Sequence, residues 1–261
     1  MHITFTVPDD AHMISSILNF QREGESSFWS DPLYHFYPQL DRDYALSLPF
    51  SERQAYLTDA LHILCRELAP VMNEKATLYN VRWNEVRAQV TQALSDAFSI
   101  DCAQEFNDIR AFVSINPIMP RFLDTNSFDV FYLNSPDGAI GMSLHEVIHF
   151  LWFRVWNTLF GDSFEEYERP SLKWILSEMV VEPIMRDERL SSLNPYFPRE
   201  NGGCVYPYFY DMLIEDRPIL DTLDKLYRAY NIQDFMHESY AYCLAHEREI
   251  RAHMERAEQN R

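Results

Sequence analysis

Ser143-Leu-His-Glu-Val-Ile-His-Phe150 contains His145-Glu146-x-x-His149, and the rest of the chain is read outward from it. Residues four apart on an α-helix lie about 40° apart around its axis and about 6 Å along it, so both imidazoles can reach one ion. Zinc takes such nitrogens at about 2.0–2.1 Å. Glu146 points about 100° from His145 and about 60° from His149, which sets its carboxylate beside the metal, where it can act on a water. Leu144, Ile148, Leu151 and Val155 recur at helical spacing on one side, while Val147, Phe150, Trp152, Phe153 and Trp156 fill the others. Such a helix is apolar nearly all round and therefore buried. Unpaired polar groups are costly to bury, so its two histidines need either a metal or hydrogen-bond partners.

A zinc site with two histidines requires a third protein ligand and keeps its fourth position for water. A third histidine six residues after His149 is ruled out, because position 155 is valine. Past Arg169-Pro170, the segment from Ser171 to Glu182 reads as a second helix with Ser171 as its N-cap. On it Trp174, Glu178 and Glu182 stand at successive i, i+4 positions and share a face. Glu178 is the leading third ligand, and Glu182 is placed to orient a ligating histidine. Glu182, Asp187 and Glu188 are the alternatives for the ligand role. Pro183 is expected to end or kink the helix directly after Glu182.

These residues resemble the gluzincin-type zinc metallopeptidases, in which HExxH is followed by a helix bearing a glutamate ligand. The resemblance covers residues 145 to 182, and the 28 residues between His149 and Glu178 exceed the thermolysin spacing. It implies Zn2+ held by His145, His149 and Glu178, with Glu146 as general base. Glu182 then takes the place of the acidic companion, glutamate here where thermolysin-like members have aspartate. The implied domain is α+β and zincin-like, and the implied activity is peptide-bond hydrolysis through a metal-activated water on a peptide or protein substrate. Gluzincins supply a further oxyanion donor from the region after the third ligand; His237 is favoured over Tyr240, Tyr206, Tyr208 and Tyr210. The same ligands could instead stabilise a non-catalytic zinc scaffold that binds peptides or a protein partner. A regulator joining HExxH to a DNA-binding module finds no support, since neither a helix-turn-helix nor a basic patch is visible.

With 261 residues, 47% hydrophobic and 15% aromatic, the chain can bury a large core, and no repeat, linker or low-complexity segment divides residues 1–261. A net charge of -18 argues against nucleic acid and anionic membranes as partners. No stretch has transmembrane length and no signal peptide is visible. Cys65, Cys102, Cys204 and Cys243 form no Cys-x-x-Cys and read as free thiols, so a cytoplasmic location is expected.

Residues 2 to 7 alternate like a strand, and Asp9 or Asp10 can cap a helix to about Gln21. Residues 22 to 50 read as an irregular aromatic loop. Helices are expected from Ser51 to about Leu68, where Ser51-x-x-Gln54 resembles a capping box, and from Trp83 to Phe98. Arg110 to Ile115 and Phe128 to Leu133 read as strands separated by a loop with Pro117 and Pro120. By the gluzincin resemblance, the second would be an edge strand that pairs with an extended peptide. Aromatic loops follow Glu182, then helices from about Asp216 to Tyr230 and from Asp234 to near Glu258. The expectation is a single, predominantly helical α+β domain with a small mixed or antiparallel sheet before the HExxH helix.

Overall fold

The computed structural model describes residues 1–259. Strand β1 (Ile3–Thr6) leads into helix α1 (Asp10–Leu18), where the Asp9 carboxylate accepts the His12 N–H as N-cap. The stretch expected to be irregular instead forms α2 (Ser27–Phe36) and α3 (Arg42–Ser47). Proline and aspartate hide these helices from local pattern, and burial of Trp29, Leu33 and Tyr34 secures α2. The two helices expected over 51–68 and 83–98 are one, α4 (Phe50–Phe98), 49 residues and about 70 Å long. Met72, Ala76 and Tyr79 carry the buried stripe across the gap, and that packing outweighs the hydrogen bond lost at Pro70.

After α5 (Cys102–Glu105) come β2 (Ile109–Ser114), β3 (Arg121–Phe122) and β4 (Ser127–Phe131), giving a mixed sheet in the order β1-β2-β4-β3. β1, β2 and β4 run parallel, and β3 is antiparallel to β4. β4 is therefore internal and buried along its length, not the edge strand expected. The two-residue β3 occupies that edge, and two residues have no periodicity to read.

Asp129 of β4 ties the sheet to α1. It accepts hydrogen bonds from His12 Nε2 (2.9 Å) and Ser16 Oγ (2.6 Å), while the His12 ring lies between Phe112 and Phe122. The Asp129 hydrogen bond raises the His12 pKa above 6.5 in the fold, burial opposing it. The stabilisation from protonated His12 is thus fully present below pH 6.5 and lost as pH rises through the raised folded value. Parent stability is expected to fall over that window more steeply than that of His12→Gln, which lacks this contribution. Denaturant titrations across pH check this, and parallel pH profiles would contradict it.

Helix α6 (Pro136–Phe160) runs from an N-terminus capped by Ser135, whose Oγ accepts the Gly138 N–H, to a stop at Gly161 with φ 71°, and carries the HExxH residues near its middle. Helix α7 (Leu172–Met185) starts at the Ser171 cap and runs on through Pro183 rather than ending there. Its surroundings bury every residue from Trp174 to Met185, which holds the helix past the proline. Short α8 (Glu188–Ser191) and α9 (Pro207–Tyr210) precede a hairpin of β5 (Leu213–Ile214) and β6 (Arg217–Pro218), turned by Glu215 and Asp216 at positive φ. The C-terminal region is three helices, α10 (Ile219–Ala229), α11 (Ile232–Ala245) and α12 (Glu247–Gln259), so the last expected helix is broken at His246. One hydrophobic cluster extends from Met1 to Met254. No helix among the described residues is long and apolar enough to cross a membrane.

Candidate metal centre

Helices α6 and α7 pack side by side and bring His145, His149 and Glu178 together. His149 Nε2 lies 3.0 Å from His145 Nε2, and Glu178 Oε2 lies 3.3 Å from His145 Nε2 and 3.5 Å from His149 Nε2. Ligands in a tetrahedron with zinc bonds of about 2.0–2.1 Å stand about 3.3–3.4 Å apart, so these three edges match one face of it. Aspartate or glutamate oxygen with two imidazole nitrogens is also a donor set that zinc uses with one position open. These residues fit the ion.

The protonation states of two of the three groups suit them to act as ligands. Burial, with the Arg121 charge nearby, pushes His149 down to about 3, leaving the neutral imidazole that a metal needs. Glu178 is almost fully buried, which alone would raise its pKa; the Arg121 charge and the hydrogen bonds of His145 and His149 outweigh that and hold it well below the carboxylate range. His145 is likewise opposed by burial, but its hydrogen bond to Glu178 raises it. Glu146, buried beside them, is pushed up to about 7 by burial, His145 and Arg121 acting against it, and its Oε2 has no partner.

The partner that orients His145 is not Glu182. His145 Nδ1 donates to the Cys204 carbonyl at 2.8 Å, which leaves Nε2 free to ligate. Glu182 is buried too, but it accepts from Arg199 and, at 3.5 Å, from Arg186. Its connection to the histidine is indirect. Arg199 stacks over the Tyr210 ring at 4.8 Å, and the Tyr210 hydroxyl accepts the Cys204 N–H at 2.9 Å. The same loop presses on α6 at Gly141, one turn before His145, where a Cβ would lie 2.6 Å from Asn194 Oδ1. Only glycine permits that approach.

His237 is not brought to the site. It lies exposed on α11, its ring 4.7 Å from that of Phe160 at the far end of α6. Tyr240 packs on Trp156, Tyr208 is buried, and Tyr210 is engaged with the Cys204 loop. Tyr206 alone of the named donors lines the cleft with His145, Glu146 and Glu178. Asp187 caps α8 and pairs with Arg189, and Glu188 is exposed, so Glu178 is the carboxylate that meets the histidines.

The cleft over these residues has a volume of about 750 Å3, and Phe28, Trp29, Trp174 and Tyr206 form one wall. Part of the aromatic stretch in residues 22–50 therefore faces the site and part packs on the core. Arg121 was not legible beforehand: its Nη1 donates to Glu178 Oε1 at 2.7 Å, and only the formation of β3 puts it there. No family model, curated protein or solved structure matches this chain.

Proposed function

We propose that this chain is a zinc-dependent peptidase. The observation that supports this most is the convergence of His145 Nε2, His149 Nε2 and Glu178 Oε2 within 3.5 Å of one another beside a buried Glu146, at the floor of an open cleft. When bound, zinc supplies Lewis acidity toward water and a carbonyl. His145, held by the Cys204 carbonyl, and His149, kept neutral by burial, present lone pairs, and Arg121 leaves Glu178 one free oxygen for the ion. Glu146, which lines the cleft beside the histidines, takes the proton of the attacking water and returns it to the leaving amine. Tyr206, whose phenol burial keeps protonated, offers an O–H to the substrate from the cleft wall. The cleft, about 750 Å3 and aromatic on one side, has room for several residues of an extended peptide. Four unpaired, buried cysteines suit a reducing compartment such as the cytoplasm.

A peptide mixture digested by the purified protein and followed by mass spectrometry tests this. Cleavage that stops with a zinc chelator and returns on adding zinc is expected. Zinc binding without any cleavage would favour the non-catalytic scaffold.

A further inference from the structure

Arg121 opens β3, and its side chain lines the cleft with Glu146 and Glu178. A guanidinium holds five N–H donors in a rigid planar fork. One of them goes to Glu178 Oε1, and among the described residues no other acceptor bonds it. None of its nitrogens is both sealed and unpartnered, so the remaining donors meet solvent although the side chain is only 12% exposed. That solvent is the cleft. Phe153 lies against the guanidinium, its ring centre 5.8 Å away, and limits the fork's freedom. A donor fork fixed by a buried carboxylate on one side and open to a cleft on the other is a ready anion site.

We propose that Arg121 is the anion-binding residue of the cleft, donating to the negatively charged oxygen that develops on the scissile carbonyl. This rests on the peptidase reading. In the step, the water oxygen bonds to the carbonyl carbon, its proton passes to Glu146, and the carbonyl π pair moves onto oxygen, where the Arg121 donors meet it. When the intermediate collapses, the pair re-forms the C=O bond, the C–N bond breaks, and the amine leaves with the proton from Glu146. Because Arg121 is held by Glu178, whose other oxygen faces the histidines, the fork is placed next to the reacting centre before substrate arrives. The guanidinium stays charged throughout. Neither His237, which is remote, nor a neutral phenol brings a full positive charge to that oxygen.

The test is Arg121→Gln and Arg121→Lys beside the parent, all loaded with zinc, with metal content, peptide kinetics and calorimetric titration with inorganic phosphate. Arg121→Gln is expected to keep its zinc while kcat falls about 100–1,000-fold with little change in KM, and phosphate affinity falls at least about 10-fold. Arg121→Lys keeps a cation against Glu178 without the fork, and is expected to hold zinc and still lose about 10-fold in both readouts. It provides the comparison if the Gln variant fails to fold. Activity restored by excess zinc, with phosphate binding unchanged, would reduce Arg121 to a positioning residue for Glu178 and overturn the proposal. A parent that binds phosphate through Arg121 but cleaves no peptide would uphold the anion site and sink the peptidase reading. Variants that cleave and bind phosphate like the parent would do the reverse.

Discussion

Glu146→Gln is expected to retain zinc and its fold while kcat and kcat/KM fall together by about 100- to 10,000-fold, the range of a lost general base. The substitution keeps the shape of the side chain and removes only its ability to accept a proton. The three atoms that could hold the ion belong to His145, His149 and Glu178, which the substitution leaves unchanged. Glu146 is suited to the role by its surroundings: it lines the cleft one residue beyond His145, and burial pushes its pKa up to about 7. A base near neutrality can both take a proton from water and give it to an amine. Steady-state kinetics with elemental analysis of the same preparation separates the possibilities. Full activity in the variant would remove Glu146 from the chemistry, and loss of zinc would make its role structural.

Glu178→Ala acts on the metal and on the fold at once. Loss of a partner behind a ligand costs about 10- to 100-fold in affinity, so loss of the ligand itself is expected to exceed about 100-fold. The same change leaves the Arg121 guanidinium, 12% exposed, without its carboxylate. Breaking a buried pair by deleting one member costs at most about 3–5 kcal/mol, an upper bound here because the cleft hydrates part of the remaining charge. Equilibrium dialysis against buffered zinc and denaturant titration of the metal-free protein read the two effects independently. Unchanged zinc affinity would place the third ligand elsewhere; unchanged stability would mean Arg121 finds water when Glu178 is gone.

What the chain made legible, and what it hid, divides along physical lines. The meeting of His145 and His149 is readable because four-residue spacing on a helix dictates their common face, and Glu178 because it stands on the next helix, begun at the Ser171 cap. The strands over 109–114 and 127–131 were readable from their apolar, β-branched runs, but β4's place inside the sheet depends on β3, which is too short to carry a pattern. Glu182 shares the face of Glu178, yet Arg199 from a distant loop claims it, and the Cys204 carbonyl takes the His145 nitrogen instead. Backbone carbonyls leave no mark in sequence. His237 is favoured only by the gluzincin resemblance, which expects a donor after the third ligand, whereas α11 packs against the end of α6 that lies away from the cleft. Arg121 gave no signal at all, since its meeting with Glu178 is a tertiary event across 57 positions. The continuity of α4 through Pro70 is hidden from local pattern, because it depends on the buried stripe that packs on either side of the proline.

Elemental analysis of the protein purified without added metal tests the central claim most directly. About one zinc per chain, sharply reduced in Glu178→Ala, is the predicted result. A protein that emerges without metal and takes up none when zinc is supplied would contradict it, and His145, His149 and Glu178 would then be a hydrogen-bonded cluster of the core.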